Sequence, residues 1–185
     1  MGSCDPQEVL PRLAEANILK IGVPTQLGGL GGDVAGAVEA IANVASHSLA
    51  AAFVCWGQRS FIEYLLQSPN QRLREQLMPD LLSGKLAGAT GLSNAMKFLS
   101  GIESLQISAE PNDHGWTLNG RLHWVTNLRK NGFVAAAAIE HAGGGAPFIL
   151  AIPDSVVRVA ARPATWSCSG CNRATPQRLA WKAWS

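Results

Sequence analysis

The pattern of apolar residues changes character near Lys85, and that change restricts what the chain can fold into. Before it, Val34 to about Ser46 and Leu49 to Gln67 are dense in alanine and larger apolar residues without alternation, which predicts two mostly buried helices broken near Ser46–Ser48. Asp5, Pro6 and Glu8 form a helix-start signature, Asp33 and Asn70 are candidate caps, and Gly84 is a stop. After Lys85, LAGATGLS is short and apolar, and ESLQISAEPNDHGWTLNGRLHWVTN alternates around the turn signals PNDHG and NG. GFVAAAAIEH, APFILAIP and SVVRVAA predict further strands, and connections too short for helical crossovers predict antiparallel pairing. The expected fold class is α+β: an all-α helical N-terminal part over 1–85, a small antiparallel β-sheet domain over 86–162, and a tail over 163–185 of different character.

Composition excludes several functions. A net charge of +2 over 185 residues gives no electrostatic case for nucleic acid, and the basic group in NLRKNG is expected to be a solvated loop. VAGAVEAIANVASHSLAAAFVCW is interrupted by Glu39, Asn43 and His47, so no membrane span is expected. The N-terminus lacks a basic region followed by an apolar run, and Cys4 and Cys55 stand alone, both as in a cytoplasmic protein. His47, His114, His123 and His141 show no zinc-ligand spacing, so no metal is expected. The glycines of TQLGGLGGDV lack the following Lys and Ser/Thr of a phosphate-binding loop.

Three stretches resemble the acyl-CoA dehydrogenase family, in the family's order and covering most of the chain up to about Ala160. ANILKIGVPTQLGGLGGD is similar to a helix end that runs through a Val-Pro into a YGGLG turn. SPNQRLREQLMPDLLSGKLAGATGLS is similar to the stretch reaching a (Leu/Val)-Thr pair, and GWTLNGRLHWVTN to G-(Y/W)-x-L-N-G-x-K-x-W-(I/V)-(S/T)-N. The resemblance implies an FAD oxidoreductase that dehydrogenates an acyl thioester, with the helical part and the β-domain together walling the isoalloxazine ring. Trp124 would lie against the flavin and Thr126 would hydrogen-bond to it, while Leu92 and Ser93 would meet the pyrimidine side. Read from the residues alone, Trp124 is a buried sheet aromatic and Thr126 a strand-end residue.

Two departures qualify the resemblance. Where the family reads T-E-P and then Gly-Ser-Asp, this chain has Asn94 for the acid and Ala95 for the proline, and lacks the Gly-Ser-Asp element, which weighs against acyl-CoA as substrate. The family's C-terminal helical bundle, source of the catalytic glutamate and most of the oligomer interface, has no counterpart, so no catalytic residue is assigned and the chain is expected to be inactive alone. A flavin monooxygenase relative and a non-catalytic interaction module remain as alternatives. The tail carries three tryptophans and the Cys168–Cys171 pair but no acid after Asp154, which suits a frameshifted segment better than a redox pair or half a zinc site.

Overall fold

A computed structural model describes residues 6–113 and 115–156, and the backbone of 179–181. It is α+β, and the chain divides into two compact units, Met1–Ala89 and Thr90–Ser185. The expectations for Asp5, His114 and the Cys168–Cys171 pair lie outside the described residues.

The first unit is built on α3 (Leu49–Gln67), against which α1 (Pro6–Glu15), α2 (Val34–His47) and α4 (Gln71–Leu82) pack. Each helix boundary has a chemical cause. The Gly36 N–H donates to Asp33 Oδ1 at 3.0 Å and opens α2. The Ser48 N–H closes α2 on Val44 O, and its hydroxyl accepts from the Ala51 N–H to open α3, so one residue makes the break. Asn70 Oδ1 accepts from the Leu73 N–H at 2.9 Å at the head of α4, and Gly84, at φ 72°, turns the chain out of it. Asp33→Ala is expected to destabilise this unit by about 1 kcal/mol, read as a lower urea midpoint at unchanged slope.

Between α1 and α2 the glycine-rich turn closes on itself. The Gly22 N–H donates to Gly31 O and the Gly31 N–H to Val23 O, both at 2.8 Å. A methyl on Gly29 would sit 2.0 Å from Val23 O, so only glycine fits there. The core consists of Leu10, Leu19, Phe61, Ile62, Met78 and Leu81, all essentially inaccessible. One expectation fails: α2 is not mostly buried, because only Ala37 is enclosed while Val34 and Val38 are more than half exposed.

A buried amide fastens α3 to the next two elements of the chain. Gln58, with no exposure, donates from Nε2 to Leu81 O at 2.9 Å and Leu86 O at 3.0 Å, and its Oε1 accepts from the Gly88 N–H at 2.7 Å. These bonds tie the end of α4 and the start of β1 (Ala87–Thr90) to the central helix.

In the second unit β2 (Ile107–Asn112) and β3 (Gly115–Gly120) form an antiparallel hairpin, with Ile107 opposite Gly120. β4 (Phe133–His141) pairs antiparallel with β5 (Phe148–Pro153), and a short β6 (Leu179–Trp181) flanks β3. The sheet is mixed rather than antiparallel, because β4 runs parallel to β2, with Ser108 opposite Glu140. β3 supplies the return leg and the 121–132 loop carries the chain across to the other edge of β2, so a parallel pair forms without a helical crossover. β4 is buried from Phe133 to Ala137 without alternation, as for a strand covered on both faces.

Two further expectations are corrected. A short helix, α5 (Ser93–Leu99), interrupts the β-domain, and Ser155 and Val156 of SVVRVAA lie in a 3-10 turn rather than a strand. Among the described residues no helix is long and apolar enough to cross a membrane.

Candidate functional site

Leu92 and Ser93 lie at the start of α5, and Trp124 and Thr126 on the irregular loop after β3. A single backbone bridge holds the two segments together. The Thr90 N–H donates to Thr126 O at 3.2 Å and the Thr126 N–H to Thr90 O at 3.1 Å. The next residue continues the anchor, with the Gly91 N–H donating to Ala136 O of β4 at 2.9 Å. A methyl on Gly91 would meet Ala136 O at 3.1 Å and Leu122 Cδ2 at 3.0 Å, so a small residue is needed for the approach.

The loop owes its course to its ends. Gly120 closes β3 at φ 145°, where a Cβ would lie 2.1 Å from Gln106 O. From there Leu122, Val125, Thr126 and Asn127 are buried, while Trp124 between them is 64% exposed. Trp124 and Asn127 both adopt left-handed backbone, at φ 59° and 62°. Asparagine tolerates this region, but a bulky aromatic there stores strain of order 1–3 kcal/mol. Trp124 is therefore neither buried nor in a strand, contrary to the reading from the residues alone.

Thr126 is 8% exposed and its backbone is spent on Thr90, while its hydroxyl makes no hydrogen bond among the described residues. Ser93 is exposed and Leu92 half-buried. The Leu92 carbonyl accepts from the Met96 N–H at 3.1 Å, so that oxygen belongs to α5.

Asn94 explains how α5 is held. Its Nδ2 donates to Glu103 Oε1 at 2.8 Å and to Ser104 O at 3.0 Å, and its Oδ1 accepts from the Gln106 N–H. The bond from Asn94, with Lys97 at 3.3 Å assisting, holds the Glu103 carboxyl below its ordinary range. The amide thus fixes α5 at the position where the sequence departs from the family's acid.

Arg129 was not singled out by the sequence, where NLRKNG reads as a solvated loop. It is instead partly buried, its Nη2 is enclosed with no hydrogen-bond partner among the described residues, and desolvation lowers its pKa. The signal for it lay only in its position on the same loop as Trp124 and Thr126. Among the described residues no three His, Cys, Asp or Glu side chains gather as a metal site would require.

Residues 2–85 match the family model described as acyl-CoA dehydrogenase, N-terminal domain. Mitochondrial isovaleryl-CoA dehydrogenase of Pongo abelii is 28% identical over 123 residues, spanning 65% of this chain and 29% of that protein. The probable acyl-CoA dehydrogenase fadE25 of Mycobacterium leprae (strain TN) is 27% identical over 141 residues, spanning 76% of this chain and 36% of its own length. The chain therefore matches only about a third of these relatives.

Among solved structures, a glutaryl-CoA dehydrogenase from Mycobacterium smegmatis in complex with FADH2 superposes with a TM-score of 0.73 at 18% identity, covering 94% of this chain and 45% of that one. Butyryl-CoA dehydrogenase from Megasphaera elsdenii gives 0.71 at 23% identity, covering 93% and 48%. These two establish the shared fold. The family model and the curated relatives point the same way: the chain is similar to acyl-CoA dehydrogenases, and its residues 2–85 match their N-terminal domain.

Proposed function

We propose that this chain carries the flavin-facing part of an FAD-dependent oxidoreductase of acyl-CoA dehydrogenase type. The observation that carries the reading is Trp124, a large aromatic held 64% exposed in strained left-handed backbone, two residues before the bridge that fixes Thr126. Such strain persists where the surrounding structure over-determines it, and a flat ligand covering the ring gives it a use.

The residues present fit the cofactor. Trp124 would offer its face to the isoalloxazine ring, and the Thr126 and Ser93 hydroxyls would hydrogen-bond to its polar edge. Leu92 would cover the pyrimidine side with its half-buried side chain. The orphaned Nη2 of Arg129 is a positive donor on the same loop, suited to an anionic part of FAD. Bound there, FAD would supply hydride acceptance. The chain's own groups would bind the ring, orient it and exclude water.

The substrate class we assign is an acyl thioester, by analogy with relatives named for isovaleryl-CoA, glutaryl-CoA and butyryl-CoA. The alternative of a flavin monooxygenase acting on another small molecule is favoured by one observation: Asn94, which stands in place of the family's acid, is spent on Glu103, Ser104 and Gln106. On either reading the chain is expected to bind flavin. Titration of FAD with the purified chain, followed by flavin fluorescence and the visible spectrum, is expected to show saturable quenching and a perturbed band. A spectrum identical to free FAD at saturating protein would leave the interaction-module reading in its place.

A further inference from the structure

We propose that Arg59 of α3 anchors a binding site for a small oxyanion, a phosphate or carboxylate group, that completes its guanidinium. Arg59 is 4% exposed, and its Nε and Nη1 are enclosed without a hydrogen-bond partner among the described residues. Buried arginines are held by acceptors, because an uncompensated cation is far more costly than an unpaired neutral group.

The neighbours along α3 do not complete it. Glu63, one turn on, approaches only Nη2 and only to 3.7 Å, beyond hydrogen-bond length, with its own side chain 29% exposed. Cys55, one turn back, is fully buried and burial pushes its thiol up to about 11 despite the nearby Arg59, so it stays neutral and supplies no counter-charge. The adjacent Gln58 is committed to Leu81, Leu86 and Gly88. Desolvation lowers the Arg59 pKa, yet an arginine stays charged at neutral pH, so the missing component is an acceptor and not a lost proton.

The donor set selects the ligand. Planar N–H groups on a fixed fork match the oxygens of phosphate and carboxylate, and slight residual exposure limits the ligand to a small ion or the tip of a larger molecule. The site lies in the helical unit and does not depend on flavin binding to the β-domain.

The test uses the full chain in Bis-Tris chloride, with thermal unfolding followed while inorganic phosphate or sodium acetate is titrated against sodium chloride of matched ionic strength. The wild type is expected to gain several degrees, saturably, with at least one of the two anions. A response to phosphate alone identifies a phosphoryl ligand, and one to acetate alone a carboxylate. Arg59→Met, which keeps the stem without the charge, is expected to unfold at a higher temperature than wild type in the anion-free buffer and to lose the saturable response. FAD titration of the same variant should be unchanged, which separates this site from the flavin reading. Should Arg59→Met fail to fold, Arg59→Lys is expected to weaken the apparent anion affinity at least tenfold. No saturable response in the wild type, an equal response in Arg59→Met, or an unchanged affinity in Arg59→Lys would each overturn the proposal.

Discussion

Replacing Gln58 by leucine is expected to cost the helical unit about 2–4 kcal/mol, because near-isosteric loss of this amide removes three hydrogen bonds at once and strands the buried Gly88 N–H. Nε2 serves Leu81 O, which also accepts from the Gly84 N–H, and the part-buried Leu86 O, and Oε1 serves the buried Gly88 N–H, around an amide that itself has no exposure. Each partner left unsatisfied costs ~1–3 kcal/mol, and the three act as one network rather than as separate pairs. Water cannot easily substitute beside Gly88, where an added methyl would already lie 2.6 Å from Phe61 Cβ. Urea unfolding followed by far-ultraviolet dichroism checks the magnitude, and hydrogen exchange at the Gly88 amide checks the mechanism: that amide should exchange much faster in the variant. Gln58→Glu removes the Nε2 donors and adds a buried charge, so it should be at least as damaging. A loss under about 1 kcal/mol in Gln58→Leu would mean that this network does not hold α3, α4 and β1 together.

The second large effect is at Trp124, where function and stability should move in opposite directions. Trp124→Gly relieves left-handed strain at φ 59° and gives up a side chain that is 64% exposed, so the free chain should gain about 1 kcal/mol. Trp124→Ala keeps most of the strain and should leave stability within about 0.5 kcal/mol of wild type. Both should weaken FAD binding at least tenfold, since aromatic stacking on a flat ring contributes on the order of 1–3 kcal/mol. Trp124→Phe should fall between wild type and Trp124→Ala. Equilibrium unfolding without FAD, set beside flavin titrations of the same proteins, gives both numbers. Equal losses in stability and in flavin affinity would mark Trp124 as an ordinary structural residue.

The helical half was legible because its punctuation is chemical and local. Asp33, Ser48, Asn70 and Gly84 each act through their own side chain or backbone freedom, and each sits where the sequence placed a boundary. α5 was not legible, because Leu92 at its head makes no side-chain cap and the helix is held instead by Asn94 reaching the 103–106 segment. A tertiary anchor leaves no local signature. The parallel β2–β4 pair was hidden for a related reason: the loop after β3 can return on either side of β2, and its length alone does not say which.

At the candidate site, motif resemblance selected Leu92, Ser93, Trp124 and Thr126, and the Thr90–Thr126 bridge brings their two segments together. The backbone of Trp124 could not be read in advance, because left-handed positions are anticipated at glycine and asparagine, such as Gly120 and Asn127 on either side. Arg129 and Arg59 escaped notice because charge on a sequence suggests solvent, and only burial reveals an orphaned donor.

The most direct test of the flavin-facing reading is the indole N–H region of a proton–nitrogen correlation spectrum, with Trp124→Phe assigning one of the six tryptophan signals. On adding FAD, the Trp124 signal is expected to show the largest shift or broadening, with those of Trp56 and Trp116 little changed. A saturable FAD response that leaves the Trp124 indole unmoved would contradict the account.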